Sequence, residues 1–302
     1  MSTSPAPQHA HAAMHCNLNT VNLPAAEAFY RVVAGREPRF RSVGTDQDAS
    51  AMGLGERTSS VTAFVWDERG PRAAPALELV GWSDPATVPA DDHPRAGFTT
   101  IGYRVRDLVA ARPALEALGA SLTRASVRGH SLPALQLVDP DGVRVEVVEI
   151  ADVSAPTAHG SDGSGPALAY ERLRVTDLGR SLDWYATIGF AVLHRDGVSA
   201  SITLPEDPTF SLELEEHSEL APSPDRANEQ GLYRIALGVE DVVEAATALR
   251  AAEPTTPDPV FIPMVDTPTG GFTVLFLTDP DGTVIELVAR PRSEVRRPQQ
   301  PV

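Results

Sequence analysis

One peptide occurs twice in this chain. Leu137–Ile150 reads LVDPDGVRVEVVEI and Leu277–Arg290 reads LTDPDGTVIELVAR, with half of the positions identical and a constant offset of 140. In a chain of 302 residues that spacing means two halves built from one plan. Each half divides again. Segments starting at His15, Thr100, Tyr170 and Arg234 share one pattern, an alternating strand running into an Asn or Asp and then a helix. Asn22, Asp107, Asp177 and Asp241 stand where helix N-caps belong, and the helices carry apolar faces such as Leu108, Ala111, Leu115 and Leu118. Each segment closes on a strand with one glutamate among apolar residues: Glu78, Glu146, Glu213 and Glu286. The Asp-Pro-Asp-Gly turns before Glu146 and Glu286 are hairpin signals, so their aspartates are read as turn formers first.

The expected fold class is therefore α+β. Four βαβββ modules form two tandem domains, each a curved mixed sheet around a cavity. Residues 1–13 read as a flexible tail. Domain 1 covers 14–150, with modules 14–82 and 97–150. The stretch 151–166, short of large apolar residues, reads as a linker. Domain 2 covers 167–290, with modules 167–216 and 231–290, and 291–302 reads as a polar tail. On this plan residues 15, 78, 100 and 146 face one hollow, and residues 170, 213, 234 and 286 face the other.

Charge and composition exclude several functions. Basic residues number 25 against 41 acidic, a net charge of −16, which repels nucleic acid and anionic membranes. Every basic residue other than histidine is an arginine, so Schiff-base and Walker lysines are ruled out. The single cysteine, Cys16, permits no intramolecular disulfide and no multi-cysteine zinc site. No apolar run of about 18 residues and no signal-peptide pattern is present, so a cytoplasmic protein is expected. The serine hydrolase, Rossmann and zincin signatures are missing from the sequence.

The paired modules, the helix ends AEAFY and LDWY (Tyr30, Tyr185) and the repeated DPDGxxxE motif make the chain similar to the vicinal oxygen chelate superfamily. That superfamily includes glyoxalase I, extradiol dioxygenases, and fosfomycin-resistance and bleomycin-binding proteins. In its metal-binding members the ligands lie at the start of each first strand and at the glutamate of each last strand. Counting back seven residues from each cap places those first-strand positions at His15, Thr100, Tyr170 and Arg234.

The resemblance thus implies a divalent metal (Mg, Mn, Fe, Zn or Ni) on His15, Glu78 and Glu146 in the N-terminal half, with Glu146 and Glu78 as catalytic groups of an isomerase or lyase. The other reading of those three residues is a metal-free polar cluster with Thr100. No metal is expected in the C-terminal half, because Arg234 is a permanent cation. Its guanidinium is expected to pair with Glu286 or Glu213, with Tyr170 donating a hydrogen bond, or else to bind an anionic or carbonyl group of a ligand. The iron triad of two histidines and one glutamate found in extradiol enzymes retains only Glu286, so ring cleavage is not expected. His130, shortly before the last strand of module two, is a candidate cavity acid or base, or a plain loop residue. Trp66, Trp82 and Trp184 could line an aromatic pocket or pack in the core. The resemblance also implies a small-molecule ligand or substrate and a monomer or homodimer, and two further functions stay open: metal-free sequestration of a hydrophobic metabolite or antibiotic, and metal-free natural-product tailoring.

Overall fold

The computed structural model describes residues 10–91, 93–149 and 165–297. Module one comprises β1 (Ala12–Asn19), α1 (Leu23–Val33), β2 (Phe40–Gln47), β3 (Thr58–Trp66) and β4 (Ala76–Asp84). Module two follows with β5 (Gly97–Val105), α2 (Leu108–Glu116), β6 (Ser121–Val127), β7 (His130–Val138) and β8 (Arg144–Glu149). Module three has β9 (Ala167–Val175), α3 (Leu178–Thr187), β10 (Ala191–Asp196), β11 (Ser199–Leu204) and β12 (Asp207–Glu216). Module four has β13 (Gly231–Val239), α4 (Val242–Ala252), β14 (Val260–Pro263), β15 (Gly271–Thr278) and β16 (Val284–Ala289). No helix among the described residues is long and apolar enough to cross a membrane.

The helices start where their caps dictate. The side chains of Asn22, Asp107, Asp177 and Asp241 accept from Ala25, Ala110, Arg180 and both Val243 and Glu244 backbone N–H groups. In each DPDG turn the first aspartate folds the loop. Asp139 Oδ1 accepts from the Asp141 and Val143 amides at 2.8 Å each. Asp279 Oδ1 does the same for Asp281 and Thr283 at 2.9 and 2.8 Å. The turn glycines Gly142 and Gly282 take φ of +83° and +87°, which a side chain would strain.

The modules are those expected, but they pair differently. One eight-stranded sheet runs β14-β15-β16-β13-β1-β4-β3-β2, joining modules one and four. The other runs β10-β11-β12-β9-β5-β8-β7-β6, joining modules two and three. β1 pairs antiparallel with β13, and β5 with β9, so each sheet draws on both halves of the chain. This corrects the expectation of one sheet per half. All four first strands present equivalent edges, and strand periodicity says nothing about which edge meets which.

Within each half the two modules meet through helices and turns instead. Tyr30 donates to Asp139 Oδ2 at 2.8 Å, and Tyr185 to Asp279 Oδ2 at 3.2 Å. The connectors between modules also run together. Val88 N–H donates to Asn228 O and Gln230 N–H to Val88 O. One apolar cluster, including Leu18, Leu77, Ile101, Leu173, Leu212 and Ile285, joins the two sheets through the strand faces opposite the cups. At that interface Cys16 is buried beside Glu171, which is 0% exposed and pushed up to about 8 by burial.

Both sheets curl until their edges touch. Ser42 Oγ donates to Asp266 Oδ2 at 3.0 Å and Gln47 Nε2 to Pro263 O at 3.2 Å, linking β2 to the β14 end of its sheet. In the other sheet the β6–β7 turn reaches back to β12, where Arg128 N–H donates to Glu213 Oε2 at 3.1 Å.

The tails also need correction. Ala10–Ala13, expected to be flexible, are buried; His11 lies within 2.9 Å of Arg290 O, and Ala13 N–H donates to Asp207 Oδ2. His9 and the rest of 1–9 lie outside the described residues, as do Ile150 and residues 151–164 of the expected linker. The polar stretch from 291 is docked as far as 297: Arg297 is 7% exposed and its Nε donates to Asp207 Oδ2 at 2.9 Å. A buried carboxylate partner decides this, which composition does not reveal.

Candidate functional site

The exchange of modules regroups the candidate residues. His15, Glu78, Arg234 and Glu286 share the cup of modules one and four. Thr100, Glu146, Tyr170 and Glu213 share the cup of modules two and three. The expected trio of His15, Glu78 and Glu146 does not assemble, because Glu146 lies on β8 of the other sheet. The cup positions themselves follow one rule. Glu78 pairs with Asn17, Glu286 with Ala236, Glu146 with Gly102 and Glu213 with Arg172. His15, Arg234, Thr100 and Tyr170 each lie two residues earlier, on the same face of their strands.

In the first cup Arg234 is the centre. Its Nε donates to Glu286 Oε2 at 2.7 Å and its Nη2 to Glu78 Oε2 at 2.9 Å. Asn17 Nδ2 also donates to Glu78 Oε2, at 2.9 Å. His15 Nε2 stands 3.4 Å from Glu78 Oε2 and 3.7 Å from Glu286 Oε2. Burial works to raise the Glu286 carboxyl, but the Arg234 charge and the His15 ring outweigh it and hold the group at about 2. Burial likewise opposes the Arg234 charge, yet Glu78 and Glu286 hold its pKa above the usual guanidinium value.

A divalent ion does not fit this arrangement. His15, Glu78 and Glu286 occupy three of the four ligand positions implied by the resemblance, but the fourth is a guanidinium seated between the carboxylates. It occupies the same oxygens a metal would need and repels a cation there. Among the described residues no group of His, Cys, Asp and Glu is arranged to hold a metal.

Aromatic rings line the wall of this cup. Phe64 pairs with Glu78 across β3 and β4 and lies edge-on to His15 at 5.7 Å. Phe64 also stacks on Trp66 at 5.6 Å and lies 5.8 Å from Phe40. Trp82 Nε1 donates to Asn19 Oδ1 at 3.2 Å. One end is plugged by an apolar group comprising Ala49, Met52, Ala227, Tyr233 and Val284, with Phe276 against it. Tyr233, Val284 and Phe276 also line a cleft of about 790 Å³ that extends between α3 and α4. Trp184 sits in that cleft rather than in the cup.

In the second cup the polar side chains pair with one another. Glu146 Oε2 accepts from Tyr170 Oη at 2.8 Å and from Arg172 Nε at 2.9 Å. Tyr170 thus serves Glu146, not Arg234. Burial and then the Glu146 charge push the Tyr170 hydroxyl well up. Glu213 accepts from Ser211 Oγ at 2.6 Å, Ser201 Oγ at 2.5 Å and the Arg128 amide. It therefore has no contact with Arg234. Thr100 is buried opposite Arg172. His130 is exposed at the start of β7, outside both cups.

Arg172, Asn17 and Asn19 are cup residues that the sequence reading did not single out. Alternation was the available signal, since each lies two or four residues after an expected position on the same strand face. Arg128 had no such signal, because it enters through its backbone amide at a left-handed turn with φ +53°.

Residues 167–287 match the family model described as Glyoxalase/Bleomycin resistance protein/Dioxygenase superfamily. No curated protein matches the chain by sequence. Glyoxalase I from Zea mays superposes with a TM-score of 0.62 at 21% identity, covering 93% of this chain and 92% of that one. A putative dioxygenase from Bacillus subtilis gives a TM-score of 0.65 at 13% identity, covering 93% of this chain and 86% of the other. At such identities the likeness is one of fold. The family-model match thus covers residues 167–287, and the fold shared with these solved structures extends through both sheets of the chain.

Proposed function

We propose that the chain binds a small organic molecule in the cup of modules one and four, and does so without a metal ion. The observation that carries this reading is Arg234, held at 2.7 and 2.9 Å by Glu286 and Glu78 in the place where a metal would have to sit. The guanidinium takes over the task of neutralising two buried carboxylates and bracing β13 against β4 and β16. The aromatic wall of Phe40, Phe64 and Trp66 supplies the apolar surface on which a ligand body packs. Both cups are completed within one chain, so one ligand per chain is the expected stoichiometry.

Metal titration tests the reading. Mg, Mn, Fe(II), Zn or Ni added to the purified chain is expected to leave its thermal midpoint unchanged. Arg234→His, which places a second imidazole near His15, Glu78 and Glu286, is expected to gain stabilisation by Ni or Zn. Stoichiometric metal in the unmodified protein, lost in His15→Ala, would overturn the proposal and restore a metal-assisted isomerase or lyase.

A second reading rests on one atom. His15 Nε2 has no hydrogen-bond partner among the described residues, although two carboxylate oxygens lie nearby. An imidazole so placed could move a proton on a bound substrate, making the cup a metal-free isomerase or tailoring enzyme. His15→Gln would then abolish turnover and leave ligand binding intact.

A further inference from the structure

Two neighbouring cup-facing residues of β1 carry side-chain atoms that are buried and without a hydrogen-bond partner among the described residues, Asn17 Oδ1 and Asn19 Nδ2, and beside them His15 Nε2 has the carboxylate oxygens of Glu78 and Glu286 at 3.4 and 3.7 Å. Asn17 and Asn19 are each 0% exposed. A buried polar atom without a partner is destabilising, so two of them side by side on one strand face call for a partner that binds there.

The orientation of both amides is fixed by their other ends. Asn17 uses its Nδ2 on Glu78, which leaves its carbonyl oxygen as a free acceptor. Asn19 uses its Oδ1 on the Trp82 indole, which leaves its NH₂ as a free donor. Residues two apart on one strand face are neighbours at about 6.5–7 Å. Together they offer an acceptor beside a donor. A ligand that answers them presents a donor beside an acceptor, as an amide or lactam does. Its N–H would donate to Asn17 Oδ1 and its carbonyl would accept from Asn19 Nδ2.

Charge narrows the class further. Glu78 and Glu286 stand close by against one guanidinium, which disfavours an anionic headgroup, and Arg234 disfavours a cationic one. The stacked Phe64 and Trp66 rings flank the His15 end of this strand face and suit a flat body.

We infer that the cup of modules one and four recognises an uncharged, planar molecule carrying an amide- or lactam-type group, read by Asn17 and Asn19. This rests on the proposed small-molecule role of that cup and names its ligand class.

The test uses four aromatic probes of one size with the full chain: benzamide, N,N-dimethylbenzamide, benzoate and toluene. Binding is followed by tryptophan fluorescence and by the side-chain amide NMR signals of Asn17 and Asn19. Fragments of this size are expected to bind in the millimolar range. Benzamide is expected to bind roughly tenfold or more tightly than the other three and to shift both asparagine signals. Asn17→Leu and Asn19→Leu are each expected to remove that preference without weakening toluene. Equal binding of all four probes, or a benzamide preference that survives both variants, overturns the inference while leaving the cup a small-molecule site. If no probe perturbs the cup tryptophans or asparagines, the underlying reading fails and takes the inference with it. The comparison of probes on the unmodified chain holds even where a variant fails to fold.

Discussion

Arg234 Nε lies 2.7 Å from Glu286 Oε2, joining the first and last strands of module four inside the cup, and the same guanidinium reaches Glu78 of module one. Removing it leaves two buried carboxylates facing each other. Arg234→Ala is expected to cost about 3–5 kcal/mol, the usual effect of breaking a buried ion pair on one side. Adding Glu286→Gln removes one of the stranded charges and should restore part of that loss. Urea midpoints of the single and double variants measure both effects. A double variant less stable than Arg234→Ala would show that charge pairing is not what Arg234 contributes.

Tyr30 and Tyr185 make equivalent bonds to Asp139 and Asp279, one in each half. Each ties the helix of one module to the DPDG turn of the next and supplies a contact within the half that sheet pairing does not. Tyr30→Phe is expected to cost about 1–3 kcal/mol, because a buried carboxylate oxygen loses a donor. Tyr185→Phe should cost a similar amount, and the two losses should add, since the sites share no partner. Chemical denaturation of both single variants and the pair checks this.

The four modules were legible because their signals are local: strand alternation, the caps at Asn22, Asp107, Asp177 and Asp241, and the repeated turn. The pairing of modules was not. Nothing in the period of β1 distinguishes the edge of β5 from that of β13, and that choice is made by contacts far apart in the chain. The candidate site suffered the same fate. Its four first-strand positions came from counting back from the caps and its four glutamates from the closing strands, but His15 and Glu78 meet Arg234 and Glu286 rather than Thr100 and Glu146. The error therefore lay in which positions meet, while the strand face of each was right.

Stability should depend on pH from two sides. Glu171 is raised from 4.5 to about 8 by burial, and Glu286 is lowered from 4.5 to about 2 once Arg234 and His15 overcome its burial. Between pH 4.5 and 8 the folded chain keeps the Glu171 proton that the unfolded chain releases, so stability falls with rising pH. The slope is about 1.4 kcal/mol per pH unit and ends above the folded value. Glu286 acts in the opposite sense: its contribution is present above pH 4.5 and is lost as pH drops to about 2. Glu171→Gln should flatten the alkaline side only, so its advantage over the unmodified chain grows from pH 5 to pH 8. Denaturant midpoints across that range read the difference. An unchanged slope in the variant would assign the titration to another group.

Gly102 and Tyr170 make the closest fit in the second cup. A Cβ built on Gly102 would fall 2.2 Å from Tyr170 Cζ, so the ring lies directly on the β5 backbone. That seat puts the Tyr170 hydroxyl 2.8 Å from Glu146 and the ring under Arg172, whose Cζ is 5.4 Å from its centroid. Gly102→Ala must drive the ring off the strand and break both contacts. The expected cost is about 2–4 kcal/mol, combining overpacking with a lost hydrogen bond to a buried carboxylate. Tyr170→Ala alone should cost about 3–5 kcal/mol through the cavity it leaves. The two changes should not add. With the ring gone the alanine methyl meets open space, so Gly102→Ala in the Tyr170→Ala background should cost under about 1 kcal/mol. A full additive loss in that double-mutant cycle would mean that Gly102 is needed for its backbone rather than for the space it leaves to the ring.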